Sequence, residues 1–578
     1  MAEAIELPSH LWRADLRSGL AERLGPVDSD VRLEGADHAP SALFLRDLKA
    51  VLPDRSIPSA ELSKNPNIPR VKDIPISRQL SEHHPLCTFI QQHSPLTRAQ
   101  YRQILHSPHI DLSITGFHTG SVPAAVHSRF LKGEELEPTD YANNEWVRDA
   151  ILVSVACHRS GYTDLAHSVL KNVWHFLGSA EHRYKVVQFH LLTDEEAQAK
   201  FERGEDIPAV KLQIRSDGHL DWRNHPWGDA QNDANGAAIW TPFRFANQRH
   251  VGMSEYATRD YQGRPLGLHE IDPLYGTGEH ILVAYLKYLN RIDVAHRSDY
   301  GPWEDRLAKS RASSVGIVNA AVKEAIIYHE REGWDALGAA YSDGQRPDWF
   351  KNEVLRLAAR TAEVLNMRIP EYGIATECDQ RPIDSAVLLL NYPFRGSLTE
   401  GQQSSVLAAG YENLRPEGII RWKMDLEYGE DAYVGQDYNH FRCEEAKGEF
   451  ADGYVPGFQP ARWTMFDPII AASCFVRFIE SGGEDIESFL RGDRHIKRSL
   501  SQITKDEDIL WIEGKQKEFV IPKGVLPEAY FWDSHARAHR PCHNSPLLMS
   551  QALFALALER AIEASTLLER KFHSKIVA

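Results

Sequence analysis

Recurrent helical periodicity is the feature of this sequence that most restricts its possible folds. From about residue 92 onward, apolar residues repeat at intervals of three and four, and aromatic, Gly- and Asp-rich loops separate these patterns. There are about eleven or twelve such patterns. The clearest cover residues 149–160, 163–178, 279–292, 313–331, 352–366, 403–414, 467–481 and 546–570. Strand-like alternation is rare and short, as in residues 185–192 and 211–216, so the sequence predicts a helical toroid or bundle rather than an α/β fold.

The first 91 residues differ in character from the rest. Five prolines lie within residues 52–76, and proline disfavours regular helix and sheet. The segment is also too polar to bury much surface by itself. We therefore expect residues 1–91 to be an irregular, Pro-rich N-terminal extension without its own core. This arm should pack across a helical domain that spans residues 92–578.

Composition argues against several classes of partner. The chain has 65 Lys and Arg against 81 Asp and Glu, and a formal net charge of −16 offers no overall attraction for nucleic acid or an anionic membrane. No apolar stretch reaches the roughly 18 residues that a membrane span requires, and the N-terminus lacks a secretory signal pattern. The six cysteines are scattered without a CxxC pair, which is typical of reduced thiols. We expect a cytoplasmic protein.

One histidine cluster has spacing that resembles a metal site. His535, His539 and His543 lie close to Cys542, but Pro541 interrupts the helix that would align the three rings. With 27 histidines in the chain, such spacings also arise by chance. Polar packing within a loop is the expected role, and we expect neither a metal nor a cofactor.

Four segments combine Trp with Asp, Glu or Arg at predicted junctions between loops and helices. They are residues 144–150 (NEWVRDA), 225–240 (HPWGDAQNDANGAAIW), 300–306 (YGPWEDR) and 524–533 (GVLPEAYFWD). Sugars stack their apolar C–H faces on indole rings, and their hydroxyl groups need acceptors and forked donors. Each segment alone is more simply a buried aromatic residue beside a helix cap, but the four together favour a carbohydrate site.

In order and spacing, these segments resemble the catalytic domain of the glucoamylase family, family 15 of the glycoside hydrolases. They are most similar to its branch containing the phosphorylase kinase alpha and beta subunits. Further matching segments are GSVPAAVHS, ASSVGIVNAAV, IDSAVLLLNYPF and PLLMSQALFAL, so the resemblance runs from about residue 95 to 570. It implies an all-α (α/α)6 barrel of six inner and six outer helices, with the site in a funnel at one end. It also implies inverting hydrolysis of α-glucosidic bonds by two carboxyl groups.

The resemblance also implies a role for each matching residue. Glu304 in PWED falls on the general acid, and Glu528 in LPE falls on the general base. Arg148 and Asp149 in WVRD match the pair that holds glucose hydroxyls. The other implied substrate-binding positions are Trp227, Asp229, Trp303, Asp305 and Arg421. The alternatives are a helix N-terminal carboxylate for Glu304, a surface loop acid for Glu528 and a structural ion pair for Arg148 and Asp149.

Three departures from the family pattern leave the preferred linkage and chain length open. Asp305 replaces the Glu that often follows the acid, Ala529 replaces the Gln of the base motif, and residues 240–266 are predicted to be an added loop rich in aromatic residues and Arg. We predict exo-acting hydrolysis that releases β-glucose from an α-linked oligosaccharide or glucan. The first alternative is a catalytically weak or inactive glycan-binding or regulatory protein related to the phosphorylase kinase subunits. The second is a purely structural helical scaffold.

Overall fold

The computed structural model describes residues 11–24, 65–76, 84–125, 141, 143–215, 218, 220–221, 230–249, 281–303, 309–332, 350–422, 460–505, 508–512, 517–533, 537–542 and 544–577. These residues are mainly helical. The helices are α1 (Leu16–Arg23), α2 (Cys87–Ile90), α3 (Arg98–Leu105), α4 (Val147–Arg159), α5 (Thr163–Leu177), α6 (Ala180–His190), α7 (Asp194–Glu202), α8 (Asn232–Arg249), α9 (Ile281–Arg291), α10 (Ala312–Glu332), α11 (Arg356–Arg368), α12 (Glu400–Glu412), α13 (Phe466–Glu480), α14 (Ile486–Ser501) and α15 (Leu548–Val577). Short 3-10 helices form at Val71–Asp73, Gly301–Trp303 and Ser385–Leu390, and Phe350–Leu355 is a π-helical turn before α11.

Six helical elements pack side by side into a closed inner ring. Helix α4 contacts α8, α8 contacts α10, α10 contacts the 3-10 helix Ser385–Leu390, and that helix contacts α13. Helix α13 then packs on α15, which returns to α4 and closes the ring. Outside it, α3 packs on α15, α5 on α4, α9 on α8, α11 on α10, α12 on the 3-10 helix and α14 on α13. Inner and outer elements alternate along the chain, so the predicted (α/α)6 barrel is confirmed.

Burial explains the composition of the inner helices. Helix α13 buries every residue from Phe466 to Phe475, because outer helices cover one side and the other inner helices cover the rest. Small residues let the inner elements approach closely. A Cβ at Gly316 of α10 would lie 2.5 Å from Leu390, so glycine is required where α10 meets the 3-10 helix.

Short strands connect the helices. They are β1 (Leu11–Asp15), β2 (Ser113–Phe117), β3 (Asn144–Trp146), β4 (Lys211–Ile214), β5 (Leu220–Asp221), β6 (Leu414–Arg415), β7 (Gly418–Ile419), β8 (Arg462–Trp463), β9 (Asp508–Ile512), β10 (Lys517–Ile521), β11 (Ala529–Asp533) and β12 (Ala538–Pro541). The largest sheet has the order β12-β11-β8-β7-β6, and Ala529 lies opposite Trp463 in it. The strand β3 leads into α4, β8 into α13 and β12 towards α15, so strands precede inner helices.

The described parts of residues 1–91 lie against the barrel. Strand β1 pairs with β2, and the Trp12 indole donates to the Phe117 carbonyl over 2.7 Å. Arg23 at the end of α1 forms an ion pair with Glu559 of α15. Arg494 of α14 donates to the carbonyl of Ile74. These contacts agree with an arm across the barrel, while the boundary at residue 91 stays a prediction.

None of the helices in the described ranges combines the length and the apolar character of a membrane span. Five cysteines fall within those ranges, and all five are buried: Cys87, Cys157, Cys378, Cys474 and Cys542. Burial raises the pKa of Cys157 to about 12, so this thiol stays protonated and unreactive at neutral pH.

Candidate active site

A cleft opens where several inner helices begin. It has an empty volume of about 440 Å3. Its wall is formed by Tyr141, Trp146, Arg148, Asp149, Pro302, Trp303, Arg421, Trp463, Met465, Glu528, Leu547 and Met549. Trp146 immediately precedes α4, Met465 precedes α13 and Leu547 precedes α15. The cleft therefore lies at the N-terminal ends of these three inner helices.

The cleft brings together five of the residues proposed from the sequence: Arg148, Asp149, Trp303, Arg421 and Glu528. They come from segments that are far apart in the chain, so only the closure of the barrel makes them neighbours. The other four, Trp227, Asp229, Glu304 and Asp305, lie outside the described residues. Their positions and the roles of all nine remain predictions.

Glu528 is a buried carboxylate held by two donors. Only 5% of the residue is exposed, which differs from the alternative of a surface loop acid. The Tyr141 hydroxyl donates to Oε1 over 3.2 Å, and the Asn544 amide donates to Oε2 over 2.8 Å. The Glu528 backbone N–H also donates to the Asn544 carbonyl, so the residue is fixed at both main chain and side chain. Such hydrogen bonds fix the direction in which the carboxylate faces the cleft.

Arg148 and Asp149 form a buried polar pair on the cleft wall. Arg148 Nη1 donates to Asp233 Oδ2 over 3.0 Å, whereas its Nη2 lies 3.7 Å from Asp149 Oδ2. The structural ion pair considered for Arg148 therefore exists, but mainly with Asp233 of α8. Within the described part of the chain, Asp149 Oδ1 has no hydrogen-bond partner although it is buried. An unsatisfied buried acceptor beside a cleft favours a ligand that supplies the missing hydroxyl donor.

Opposing effects act on the pKa of the Asp149 carboxyl group. Burial raises its pKa, the neighbouring Arg148 guanidinium lowers it, and the Asp233 carboxylate raises it again. The net pKa lies above the ordinary value for Asp. A hydrogen bond from a bound hydroxyl group would stabilise the ionised form and offset part of the cost of burial.

Aromatic rings form a further part of the cleft wall. The Arg421 guanidinium lies 4.2 Å from the ring centre of Trp463 and 5.2 Å from that of Trp303. The Trp303 and Trp463 ring centres are 6.0 Å apart, and Trp303 Nε1 donates to Asp384 Oδ1 over 2.7 Å. These contacts hold Arg421 and Trp303 in fixed orientations.

The residues that sequence reasoning missed are those that support the others. Tyr141 and Asn544 hold Glu528, Asp233 holds Arg148, and Asp384 holds Trp303. The sequence predicts that Asp233 shares a helix face with Asp229, four residues earlier, with helix packing or capping as the alternative. Asn544 lies within the histidine-rich segment, for which polar loop packing was the expected role.

The histidine-rich segment shows polar and aromatic packing where it is described. The His539 ring lies edge-on to Trp532 with ring centres 5.2 Å apart. The buried Cys542 sulfur accepts from the Ala529 N–H over 3.4 Å. His535 and His543 lie outside the described residues. Among the described residues, no group of three or more His, Cys, Asp or Glu side chains is arranged to hold a metal ion.

Glu145 lies behind the cleft wall in β3. It is fully buried, and the Val122 N–H donates to Oε2 over 2.5 Å. Its Oε1 has no hydrogen-bond partner among the described residues. Burial raises the pKa of Glu145 from 4.5 to about 8, although the hydrogen bond from Val122 opposes the shift. At neutral pH this carboxyl group is therefore largely protonated.

This raised pKa predicts a stability change with pH. The folded state binds a proton at Glu145 that the unfolded chain has lost above about pH 4.5, so stability falls as pH rises from 4.5 to 8. Glu145→Gln keeps the shape and removes the titration. Relative to the wild type, the free energy of unfolding of Glu145→Gln should increase by on the order of a few kcal/mol from pH 5 to pH 8.5. The Tm of the variant should therefore rise relative to that of the wild type over this range.

Thermal unfolding of both proteins across this pH range is the measurement. Glu195→Gln, at an exposed position of α7, is the control for removal of a surface charge. A Tm difference between Glu145→Gln and the wild type that does not change with pH would show that Glu145 is ionised in the folded protein.

No family model and no curated protein sequence matches the chain. Among solved structures, a wild-type glycosidase is 16% identical, with 83% of this chain and 99% of the glycosidase covered at a TM-score of 0.46. A glycosidase variant in complex with glucose is 16% identical, with 84% and 99% covered at a TM-score of 0.46. The glucoamylase from Saccharomycopsis fibuligera is 10% identical, with 87% and 100% covered at a TM-score of 0.47. These similarities are too distant to assign an activity, which has to be inferred from the cleft.

Proposed function

We propose that this protein is a glycoside hydrolase that cleaves α-glucosidic bonds from the non-reducing end and releases β-glucose with inversion. The observation that carries the proposal is the arrangement of Glu528. This buried, oriented carboxylate shares one cleft with the Arg148–Asp149 pair and with Trp303, the residue that precedes Glu304 in the chain. The order of the motifs in the sequence supports the same reaction.

In the proposed reaction, Glu304 is the general acid and Glu528 the general base. Glu304 gives its proton to the oxygen of the leaving sugar, while Glu528 takes a proton from a water molecule that attacks the anomeric carbon from the opposite face. Two carboxyl groups in these roles stand about 6.5–9.5 Å apart to admit the water. Tyr141 and Asn544 would hold the base oriented towards that water.

The remaining cleft residues suit a neutral sugar. Asp149 offers an unused acceptor oxygen and Arg148 a forked donor, which together match the hydroxyl groups of a terminal glucose. Trp303 lies on the wall of the cleft and offers an indole surface against which the apolar face of a sugar ring can pack. Proton transfer by two carboxyl groups needs no cofactor.

Glucose release from a panel of substrates tests the proposal. The panel contains maltose, isomaltose, nigerose, trehalose and maltooligosaccharides, and free glucose is measured enzymatically. We expect the wild type to release glucose from at least one α-linked member. Glu487→Gln, which changes a Glu paired with Arg491 on α14, should retain this activity because it lies outside the cleft.

Two negative outcomes have different meanings. Binding of the maltooligosaccharides without glucose release would support the alternative of a glycan-binding or regulatory protein. If the protein neither binds the maltooligosaccharides nor releases glucose, a carbohydrate function for this cleft is overturned. The relation to the phosphorylase kinase branch and the cytoplasmic location also remain proposals.

A further inference from the structure

We propose that Asp384 is a positioning residue for the reaction, because it holds Trp303 and thereby the segment that leads into Glu304. This inference rests on the proposed function. Asp384 is fully buried and is not part of the cleft wall. It would act through Trp303 rather than by touching the substrate.

The hydrogen bonds of Asp384 reach two elements at once. Its Oδ1 accepts from Trp303 Nε1 over 2.7 Å and from the Ala386 backbone N–H over 2.8 Å. Its Oδ2 accepts a longer bond of 3.4 Å from Arg381. One oxygen therefore ties the indole of a cleft residue to the start of the inner 3-10 helix Ser385–Leu390. This inner helix belongs to the closed ring of the barrel, so it is a rigid support.

The segment before Trp303 is fixed by a second buried contact. Gly301 has φ +56°, and a Cβ added to it would lie 2.4 Å from Arg311 Cδ. Arg311 is itself fully buried, with its Nε 3.8 Å from Asp299 Oδ1. The turn Gly301–Trp303 is thus packed on Arg311 at one end and hydrogen-bonded to Asp384 at the other.

The hydrogen bond and the aromatic packing together set the orientation of the indole. Phe466 meets the Trp303 ring edge-on with ring centres 5.7 Å apart, and Trp463 lies beside it at 6.0 Å. Edge-to-face packing sets the tilt of the ring, and the Nε1–Oδ1 bond fixes a direction within the ring plane. Glu304 follows Trp303 directly in the chain. Rotation or displacement of the Trp303 ring would therefore shift the backbone that leads into the proposed acid. Displacement by about 1 Å costs on the order of 100-fold in rate.

Asp485 provides a matched control. It is also buried and also begins a helix: its Oδ1 accepts from the Ser488 N–H, and its Oδ2 accepts from Arg477 Nε over 3.1 Å. It differs from Asp384 in lying away from the cleft, at the start of the outer helix α14. Asp485→Ala should therefore reduce stability without a selective effect on the chemistry.

The test compares rates on maltose and on 4-nitrophenyl α-glucoside for three variants. Asp384→Ala removes the acceptor, Asp384→Asn keeps an acceptor oxygen, and Trp303→Phe removes the donor while it keeps an aromatic ring on the cleft wall. Maltose needs a proton for its leaving group, whereas the nitrophenolate scarcely does. We expect Asp384→Ala and Trp303→Phe to lower kcat on maltose about 10- to 100-fold and on the aryl glucoside by only a few-fold. Asp384→Asn should stay within about threefold of the wild type on both substrates.

A combined variant adds a further check. If Asp384 acts through the proposed acid, Asp384→Ala combined with Glu304→Gln should be no slower on maltose than Glu304→Gln alone. Asp485→Ala should lower Tm while leaving the ratio of the two rates unchanged. Trp303→Phe gives an independent answer if Asp384→Ala does not fold.

Failure of the positioning role and failure of the proposed function give different experimental results. A wild type that releases no glucose from any substrate overturns both. An active wild type with equal losses on the two substrates, or with no loss in Asp384→Ala and Trp303→Phe, overturns only the positioning role. In that case Asp384 serves solely to cap the 3-10 helix.

Discussion

Glu304→Gln will slow the hydrolysis of maltose by about 100- to 10,000-fold, because glutamine keeps the shape of the side chain but has no proton to give to the leaving oxygen. The same change will slow 4-nitrophenyl α-glucoside much less, since nitrophenolate leaves without protonation. Steady-state rates on both substrates are the measurement. This selectivity separates loss of a general acid from general damage to the cleft.

Glu528→Gln will slow both substrates alike, because activation of water is common to both reactions. Glu528 is held by Tyr141 and Asn544, and an amide at this position keeps the bond from Tyr141 while it can no longer accept a proton. Glu487→Gln on α14 is the control for both variants and should behave as the wild type. Wild-type rates in Glu304→Gln and Glu528→Gln would mean that these carboxyl groups are structural.

Asp467→Ala will lower the free energy of unfolding by about 3–5 kcal/mol, because it leaves Arg498 buried without its partner. Asp467 is fully buried at the start of α13. Its Oδ1 accepts from Arg498 Nε over 2.7 Å and lies 2.6 Å from His495 Nδ1, while Oδ2 accepts from Gln502. This network joins α13 to α14, so its loss removes a buried polar link between an inner helix and its outer partner.

Urea unfolding of Asp467→Ala measures how far its free energy of unfolding falls below that of the wild type. Asp379→Ala is the control, because Asp379 pairs with Lys309 at the surface and its removal should leave the urea midpoint unchanged. A midpoint for Asp467→Ala equal to that of the wild type would show that the network stabilises the barrel little.

The pH dependence of this effect has a defined sign. Burial alone would raise the pKa of Asp467, but Arg498 and His495 more than offset it and lower the pKa from 3.8 to about 2. The contribution of Asp467 is therefore complete above pH 4 and is lost as pH falls through 2. The gap in stability between wild type and Asp467→Ala should narrow below about pH 4.

The sequence predicted most helices of the barrel because long apolar-rich segments alternate with Gly- and Asp-rich loops. The inner helix α8 (Asn232–Arg249) is an exception: residues 240–266 were expected to be a loop, but the helix continues past Pro242 to Arg249. The patterns at residues 163–178 and 467–481 correspond to Thr163–Leu177 and Phe466–Glu480. The strand-like pattern at residues 185–192 was wrong, since Ala180–His190 is a helix. Its buried Val186 and Phe189 are three positions apart and share one helix face, and so short an apolar pattern fits either structure.

Within the site, the sequence predicted what lies in short motifs and missed what depends on distant partners. Arg148, Asp149 and Trp303 sit in compact Trp-containing motifs, and the cleft brings them together. Tyr141 and Asp384 carry no such local signal. Tyr141 is 387 residues away from Glu528 in the chain, and Asp384 is 81 residues away from Trp303. These contacts arise when the barrel closes, and no periodic pattern in the sequence predicts them.

The anomer of the first-formed glucose tests the central claim most directly. With Glu528 activating water on the face opposite the leaving group, hydrolysis of an α-linked substrate inverts the anomeric carbon. Proton NMR of wild-type hydrolysis of 4-nitrophenyl α-glucoside, whose leaving group is not a sugar, shows the anomer of the one glucose formed before mutarotation equilibrates it. With inversion, β-glucose appears first and α-glucose follows at the rate of mutarotation. Initial appearance of α-glucose would contradict the proposed roles of Glu304 and Glu528.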